Sequence, residues 1–599
     1  MEKIISQNWD LDRLYFGGIH HGQIKEKMIS LNDEINELLK KVQAYNASNG
    51  RGNIERLSEI LQEVQLMVST WEELDDFLIC LQSEDVTNVS VSNLMSFCSE
   101  IKANLMSVQG ELDQSLLNLS EQSWQNFIQQ ESIEPIRFYL EEKREAANSR
   151  LSLEIENIIS ALSINGFKAW RNHYEQLINQ VKIPVQVNGK EELVPYGQAL
   201  HQSMFSNERR ERKQAAESVQ KVFEKSADSF SSILNAIAGY RLKMYEQRGW
   251  PMLKETLGQN RISEESLHMM VSTIKQHHNM VGRFIKRKSI IDKLEEIAWY
   301  DMNIPSFTSD KQIPYEEAKR LIISQFHQFS PKLGEFAENA FEAGWIEAED
   351  RPNKAMRGFC ASMPRSKESR IFYAFRGTYQ DVVVLAHELG HAYHNVILHE
   401  ELPFAQEKGT SVAETSSTFM ENFVLDAAIE RAKTRKEKLT LLEMKILNEL
   451  KYVATVPTMF EFEVKFYEKR KKGFVTTEEI KALMLQLEND AYGGLIKEID
   501  LYKWIYIQHF YSTEKPFYNI PYTIGYLFSN GIYMLAKEKG SLFHKQYDHL
   551  LRNTGRMTVE QLASAYLNKE LNEKGFWETS LKPLEEAIEE YIVLTEEMI

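Results

Sequence analysis

The sequence predicts a mainly α-helical protein built from two or more packed lobes. Apolar residues recur every three or four positions through most of the N-terminal half, which is the spacing of helices with one buried face. Only two short segments alternate in the manner of strands. The length of 599 residues exceeds what one hydrophobic core usually supports. No repeat of fixed period is found, so a solenoid is not expected.

The first helix is predicted at residues 23–45. Its apolar residues follow three- and four-residue steps with charged residues between them: Ile24, Met28, Leu31, Ile35, Leu38, Leu39 and Val42. The same pattern predicts further helices at 54–84, 91–130, 133–164 and 205–245. We interpret these apolar stripes as core packing between antiparallel helices.

The first strand-like segment is KIPVQVNGKEELVPYG, residues 182–197. Two valines alternate up to Asn188-Gly189, a dipeptide typical of two-residue hairpin turns. Helical spacing resumes after Pro195, so we predict a β-hairpin and a domain boundary at this point. The boundary separates an N-terminal helical lobe, residues 1–195, from a second region, residues 196–599.

The second strand-like segment, RGFCASMPRSKESRIFYAFRG, covers residues 357–377. Ile371, Tyr373 and Phe375 fall on one face of its second half, and the residues between them fall on the other. The letters PRSKES supply the turn. We therefore predict a hairpin that ends just before a histidine-rich stretch.

That stretch, AHELGHAYH at residues 386–394, lies in a segment that we predict to be a buried helix capped by Asp381. His387 and His391 are four residues apart, so both imidazoles leave the same face of the helix and can bind one ion. Glu388 lies about 100° further round the helix axis. This geometry suits two imidazole ligands and a carboxylate that accepts a proton from a metal-activated water.

A catalytic zinc site requires a third protein ligand and one open position. The metzincin pattern is excluded, because positions 394 and 397 hold histidine and isoleucine instead of glycine and histidine. The best candidate is Glu414, 27 residues after His387, in a second predicted helix with Ser411 as its cap. Three residues on the same helical face are candidates to orient the ligands: Ser417, Thr418 and Glu421.

The alternative for the histidine-rich stretch is a buried helix whose histidines are satisfied by hydrogen bonds. The second helix, with its glutamate at a suitable distance, favours the metal site over this alternative. His394 and His399 are predicted to be packing or surface histidines and not ligands. Cys360 is predicted to be a buried, inert thiol.

The composition excludes one class of partner. Lysine and arginine total 70 against 87 acidic residues, a net charge of −17, so nucleic acid and anionic membranes are not expected partners. The three cysteines are few and widely spaced, which suits a reducing compartment. The N-terminus shows no signal-peptide pattern, and no apolar run of 18 or more residues occurs. We therefore expect a soluble cytoplasmic protein.

The segments DVVVLAHELGHAYH and AETSSTFMENF resemble the oligoendopeptidase F and thimet oligopeptidase family of zinc metallopeptidases, with oligoendopeptidase F the nearer. The resemblance continues upstream through PYEEAKRLIISQF and GWIEAEDRPNKAMRGFCASMP. Downstream it includes HFYSTEKPFYNIPYTIGYLFSNGIY and GFWETSLKPLEEAI. It covers residues 200–599, with a looser likeness in the N-terminal helices.

By this resemblance His387, His391 and Glu414 bind one zinc ion (Zn2+) per chain, and Glu388 is the general base. The resemblance also implies two helical lobes flanking a deep substrate channel, with a small β-sheet beside the zinc. Such a channel admits short unstructured peptides and excludes folded proteins. The free edge of the hairpin at 357–377 could bind a peptide in extended form by strand addition.

Further downstream the family carries a histidine and tyrosines that contact the substrate and the transition state. The corresponding residues are His509, Tyr518, Tyr522 and Tyr526, and core packing is the alternative for each aromatic ring. Such donors stabilise the oxyanion that forms during peptide hydrolysis. The spacing from His509 to Tyr518 is longer than in many members, which leaves the role of His509 open.

The sequence therefore predicts a zinc-dependent endopeptidase that cuts internal bonds of short oligopeptides, with residues 196–599 as its catalytic region. One alternative is a helical zinc metallocarboxypeptidase, because such enzymes can share the histidine-bearing helix and a closed channel. A second alternative, from another class, is a non-catalytic helical scaffold that binds peptides. The sequence does not specify an oligomeric state.

Overall fold

The computed structural model describes residues 6–17, 22–48, 53–187, 189–596 and 598. These residues form 24 α-helices and seven short β-strands, which confirms the prediction of a mainly α-helical chain. Up to residue 205 the helices are α1 (Gln23–Ala47), α2 (Ile54–Glu84), α3 (Val89–Leu117), α4 (Glu121–Ile128), α5 (Arg137–Asn148), α6 (Leu153–Asn165), α7 (Phe167–Gln180) and α8 (Tyr196–Phe205).

The other helices follow in chain order. Between residues 209 and 342 they are α9 (Arg209–Arg248), α10 (Lys254–Asn260), α11 (Glu264–Gln276), α12 (His278–Ile291), α13 (Tyr315–Phe329) and α14 (Pro331–Glu342). The remaining helices are α15 (Tyr379–Leu398), α16 (Thr415–Arg431), α17 (Arg435–Leu450), α18 (Val456–Arg470), α19 (Thr477–Tyr492), α20 (Lys503–Tyr506), α21 (Ile520–Lys539), α22 (His544–Arg552), α23 (Val559–Leu562) and α24 (Lys574–Glu596).

Three small sheets interrupt the helices within the described residues. Their strands are β1 (Lys182–Val187), β2 (Lys190–Pro195), β3 (Ile297–Ala298), β4 (Ile346–Glu347), β5 (Phe359–Met363), β6 (Glu368–Phe372) and β7 (Ile496–Glu498). β1 pairs with β2 in antiparallel fashion, and β3 pairs with β7 in parallel. The third sheet has the order β4-β6-β5, with β4 parallel and β5 antiparallel to β6.

The chain divides into two compact units, each assembled from three separate segments. The first unit comprises Met1–Ser149, Asp310–Ala428 and Ile532–Lys569, and the second comprises Arg150–Ser309, Ile429–Gly531 and Glu570–Ile599. The boundary predicted near residue 195 lies inside the second unit, where β2 ends and α8 begins. Residues 1–195 and 196–599 do not coincide with these units, because each unit combines segments that are far apart in sequence.

The predicted helical stripes correspond to buried faces. In α1 all the predicted apolar residues are buried except Leu39, which is partly buried. The helix predicted at 91–130 is interrupted, because α3 ends at Leu117 and Ser120 caps α4 by accepting the Ser123 amide at 3.1 Å. The helix predicted at 133–164 is likewise divided into α5 and α6.

Both predicted hairpins are present. β1 and β2 form the first, and the Asn188 of its predicted turn lies outside the described residues. β5 and β6 form the second, which packs in the first unit between two helices. Ala361 and Met363 belong to the same apolar core as Phe77 of α2. On the other face, the Ser362 hydroxyl lies 3.0 Å from Nε2 of His399, just after α15. The sheet therefore holds its outer strand, β5, beside the histidine-bearing helix.

Among the described helices, none has the length and apolar character that a membrane crossing requires.

Candidate metal centre

The helix α15 begins with a capping box. The Thr378 hydroxyl accepts the Asp381 amide at 3.2 Å, and the Asp381 carboxylate accepts the Thr378 amide at 2.8 Å. The prediction that Asp381 itself is the cap is wrong: Thr378 is the cap, and Asp381 is the third residue of the helix. The valines that follow are compatible with a helix because Val382 and Val383 are buried in the core.

His387, His391 and Glu414 converge in the first unit. Nε2 of His387 lies 3.2 Å from Nε2 of His391, on the same face of α15. Oε2 of Glu414 lies 3.4 Å from His387 Nε2 and 3.3 Å from His391 Nε2. All three side chains keep 22–30% of their surface exposed, so an ion and a substrate group can reach them.

This triangle fits a tetrahedral zinc ion. Donors bound to zinc at about 2.0–2.1 Å with tetrahedral angles lie about 3.3 Å from one another. The three observed separations, 3.2, 3.3 and 3.4 Å, agree with that value. Two imidazoles and one carboxylate are also a ligand set typical of catalytic zinc, with the fourth position left for water or substrate. Among the described residues, this is the one group of three such ligands.

Glu414 lies at a helix start and not within a helix. α16 begins at Thr415, and the Glu414 carbonyl accepts the Thr418 amide at 3.1 Å, so Glu414 is the cap residue. The predicted cap, Ser411, lies instead in a short 3-10 turn, Thr410–Val412. The prediction of a helix from Ser411 is therefore wrong in its start, although it places Glu414 beside the histidines.

Two of the three residues predicted to orient the ligands, Ser417 and Glu421, hydrogen-bond to them. Glu421 Oε1 accepts a hydrogen bond from His387 Nδ1 at 2.5 Å, which leaves the lone pair of Nε2 free for an ion. The Ser417 hydroxyl donates to Glu414 Oε2 at 2.8 Å. Burial alone would lower the pKa of His387, but the Glu421 hydrogen bond and the surrounding carboxylates raise that pKa to about 9. Burial would raise the pKa of Glu414, but the hydrogen bond and charge of His391 lower it overall.

Glu388 is buried beside the two histidines. Its side chain is 6% exposed, and burial raises the pKa of its carboxyl group above the ordinary value. Oε2 of Glu388 has no hydrogen-bond partner among the described residues. Oε1 lies 3.3 Å from the position that a Cβ at Gly358 would occupy, so the carboxylate faces the start of β5. A buried carboxylate with an unsatisfied oxygen suits proton transfer at this point.

Gly390 permits the close approach that brings Glu414 to the histidines. A Cβ at this position would lie 2.6 Å from the carbonyl oxygen of Ser416 and 2.6 Å from Cα of Ser417. These are backbone atoms, so they cannot move aside by a change of rotamer. The sequence analysis did not identify Gly390, although a glycine inside a predicted helix is itself a signal of close packing.

His394 and His399 are packing histidines, as predicted. Nε2 of His394 lies 2.8 Å from the Thr554 hydroxyl, and the side chain is fully buried. Nε2 of His399 contacts Ser362. Cys360 is partly exposed and not fully buried as predicted. Desolvation of its thiol still raises the thiol pKa, as expected of an inert thiol.

The downstream aromatic residues lie in the second unit. The rings of Tyr518 and Tyr522 lie 5.1 and 6.0 Å from the His509 ring, and 6.0 Å from each other. Nδ1 of His509 lies 2.8 Å from Oδ1 of Asn519. His509 and Tyr518 line a cavity of about 820 Å³ in this unit.

Tyr526 has a different environment. Its ring stacks on Tyr452 at 4.7 Å, and its hydroxyl donates to Glu449 at 2.5 Å. The side chain is 2% exposed, and burial together with the Glu449 charge raises the pKa of Tyr526 well above its ordinary value. The structure thus groups His509, Tyr518 and Tyr522 around one another, while the Tyr526 hydroxyl is held by a carboxylate.

Comparison with known proteins shows that two peptidase family patterns match this chain. The pattern of peptidase family M3 matches residues 203–580, and that of oligopeptidase F matches residues 115–182. The chain is 24% identical over 425 residues to the chromosomal oligoendopeptidase F of Lactococcus lactis subsp. cremoris, which covers 69% of each chain. It is 23% identical over 510 residues to the group B oligopeptidase PepB of Streptococcus agalactiae, covering 82% of this chain and 84% of that protein.

Solved structures share the fold. The crystal structure of oligoendopeptidase-F from Enterococcus faecium superposes with a TM-score of 0.71 at 18% identity. The alignment covers 96% of this chain and all of that chain. At this identity the likeness concerns the fold alone.

Replacing Gly390 by alanine tests the close approach. The added Cβ overlaps backbone atoms of α16, so we expect a loss of about 1–3 kcal/mol in the free energy of unfolding. We also expect weaker zinc binding, because α16 carries Glu414 away from the histidines. Chemical denaturation and zinc titration measure the two effects.

Gly110→Ala is the matched control. Gly110 also lies inside a helix, but nothing lies within 4 Å of its would-be Cβ, so alanine should leave zinc affinity unchanged and stability equal or higher. Wild-type stability and zinc affinity in Gly390→Ala would contradict the proposed role of the glycine.

Proposed function

The chain belongs to peptidase family M3 and is a metallopeptidase that acts on oligopeptides, and from this premise we propose that it is a zinc-dependent endopeptidase. The observation that supports the metal is the triangle of His387, His391 and Glu414, with donor separations suited to tetrahedral zinc. The family assignment identifies an enzyme, which sets aside the non-catalytic scaffold.

Zinc bound by these three residues would supply a Lewis acid that acidifies a water molecule and polarises the scissile carbonyl. Glu388 accepts the proton of the attacking water and then donates it to the leaving amine, since its buried carboxylate has one unsatisfied oxygen. Glu421 holds the His387 ring in one orientation, and Ser417 does the same for the Glu414 carboxylate.

The peptide is proposed to lie along the outer edge of β5. This strand pairs only with β6 among the described strands, so its other edge has no strand partner. The part of that edge before Ser362, whose amide Asp76 accepts, is proposed as the site of strand addition. Gly358 precedes the strand next to Glu388, and a glycine leaves room for a second backbone. An extended, unstructured peptide meets this requirement, whereas a folded protein does not offer a free strand.

The residues of the second unit complete the proposal. His509, Tyr518, Tyr522 and Tyr526 are assigned as contacts to substrate and transition state by the family resemblance. The ring cluster of the first three supports this role, because His509 and Tyr518 line a cavity and the Tyr522 ring lies beside both. The Tyr526 hydroxyl donates to Glu449 and its side chain is buried, so its proposed contact with the substrate rests on the family resemblance alone.

Glu388→Gln tests the general base. The amide keeps the size of the side chain but cannot accept the proton, so kcat/KM on a peptide should fall by about 1000-fold or more. Zinc content, measured by elemental analysis, should stay at one ion per chain, whereas His387→Ala should lose the ion. Glu400→Gln, an exposed glutamate near Lys367, is the control and should keep full activity. Near-wild-type cleavage by Glu388→Gln would contradict the assignment.

A peptide with an amidated C-terminus separates an endopeptidase from the metallocarboxypeptidase alternative. An endopeptidase does not need the free carboxylate, so internal products should form from the amide and the free acid at similar rates. Mass spectrometry of the products, with and without a chelator, gives the result. Cleavage limited to the free acid, with loss of C-terminal residues, would favour the carboxypeptidase.

Tyr518→Phe and Tyr522→Phe test the hydroxyl donors. Loss of a donor that acts in the transition state should lower kcat by about 100-fold and change KM little. Tyr240→Phe, which removes a hydroxyl from a ring stacked on Phe167 in the same unit, is the control and should keep kcat. Equal kcat values for all three variants would exclude the two tyrosines as donors.

A further inference from the structure

At two positions of β5, Cys360 and Ser362, the backbone N–H and C=O groups point outward, away from β6. Ile371 of β6 donates its amide to Trp345 at 2.8 Å, away from β5, so its pairing partner Cys360 also directs its N–H and C=O outward. Two residues further along, Ser362 has the same orientation. The Cys360 amide has no hydrogen-bond partner among the described residues, and Cys360 is partly exposed.

This edge begins at the candidate metal centre. Gly358 lies two residues before Cys360, so its backbone N–H and C=O groups also point outward, away from β6. Its would-be Cβ is 3.3 Å from Oε1 of Glu388. A peptide that adds to the edge therefore has its scissile bond near Gly358 and runs along β5 in one direction from there.

The edge ends at Asp76. Oδ2 of this α2 residue accepts the Ser362 amide at 2.7 Å, so that amide is not available to a peptide. The other oxygen of Asp76, Oδ1, has no hydrogen-bond partner among the described residues. Burial, the largest cause, raises the pKa of Asp76 to about 7. Above about pH 7 Asp76 is therefore mostly ionised, and its carboxylate stands at the end of the free edge.

A pocket of about 400 Å³ opens at the same place, and Ser362 is part of its wall. Its carboxylates, which together define the acidic pocket, are Glu72, Asp75, Asp76 and Glu407. Lys408 is the cation in the wall, and its Nζ lies 3.3 Å from the Asn395 side-chain oxygen. His399 also lines the pocket; it is 4% exposed, its Nδ1 has no hydrogen-bond partner among the described residues, and burial lowers its pKa to about 4.

We propose that the acidic pocket binds a primary ammonium group of the peptide substrate, its free amino terminus, with Asp76 as the residue that selects it. The proposal rests on the proposed function, because it assumes that the peptide lies along β5. At about pH 7.5 Glu72 and Asp76 are mostly ionised, because burial raises the pKa of each to about 7 and no higher. Four carboxylates against one lysine then favour an ammonium and repel a terminal carboxylate. The amino end of the peptide therefore points toward Ser362, which makes the peptide antiparallel to β5.

The length of the edge sets the distance from the amino terminus to the cut. Ser362 is four residue steps beyond Gly358, which corresponds to about 14 Å of extended chain. About four peptide residues span that distance. The preferred scissile bond should thus follow the third or fourth residue of a peptide whose amino terminus is free.

A matched pair of substrates tests the proposal on the zinc-loaded wild-type enzyme. One peptide of about eight residues is free at its amino terminus and the other is acetylated, at about pH 7.5, where most α-amino groups are protonated. Loss of a charge-assisted hydrogen bond should lower kcat/KM by about tenfold for the acetylated form. The free peptide should be cut mainly after residue three or four, and the acetylated one at less regular positions.

Asp76→Asn tests the same proposal by a change in the enzyme, assayed on the same two peptides. The amide keeps an oxygen for the Ser362 N–H but loses the charge, so kcat/KM on the free peptide should fall by about tenfold and acetylation should no longer matter. Glu72→Gln is a second variant if Asp76→Asn does not fold. Glu63→Gln, an exposed α2 residue paired with Lys41, is the control and should retain the full acetylation effect.

The outcomes separate this proposal from the proposed function. Equal cutting of both peptides by the wild type, or an unchanged acetylation effect in Asp76→Asn, overturns the ammonium site while zinc-dependent hydrolysis continues. Failure to cut either peptide overturns the proposed function itself. An acetylated peptide with lysine at the fourth residue before the cut tests whether a lysine side chain can supply the ammonium group in place of the amino terminus. A recovered rate supports a site for any primary ammonium, and no recovery supports one restricted to the amino terminus.

Discussion

The candidate metal centre depends on one backbone contact, the approach of α15 to the start of α16 at Gly390. At this point the two chains are so close that a single added carbon would overlap Ser416 and Ser417. The contact places Glu414 within 3.4 Å of both histidine nitrogens. Ser417 and Glu421 then follow on α16 at positions from which they hold the Glu414 and His387 side chains. The ligands and the groups that orient them are therefore fixed by the packing of two segments.

The first unit combines this centre with a surface suited to an extended peptide. The sheet β4-β6-β5 packs between α2 and the α15 segment. Gly358, just before β5, therefore lies beside Glu388, and Ser362, near the other end of the strand, lies beside Asp76. Asp76 leaves only a short free edge and ends it with negative charge. For a peptide that adds to this edge as proposed, the length of the edge sets how many residues lie between the charged amino terminus and the metal centre. Membership in peptidase family M3 agrees with oligopeptides as the substrate class.

Much of the site could be predicted because its signals are local. The four-residue spacing of His387 and His391 fixes their common face once the segment is helical, and the following glutamate-bearing segment supplied Glu414. The cap of α15 was misassigned to Asp381, although the Thr378-x-x-Asp381 pattern carries the correct reading. The start of α16 was also misplaced, since Ser411 is a typical cap residue but lies in a 3-10 turn. Gly390 and Asp76 were not predicted, because each contacts a segment that is distant in sequence. The spacing of residues within one segment does not reveal such contacts.

The most direct test of the central claim is diffraction from zinc-loaded crystals on both sides of the zinc absorption edge. One anomalous peak should appear about 2.0–2.2 Å from Nε2 of His387, Nε2 of His391 and a carboxylate oxygen of Glu414, with a fourth position free of protein ligands. A peak bound by other side chains, or no peak at these three residues in crystals that contain zinc, would contradict the assignment.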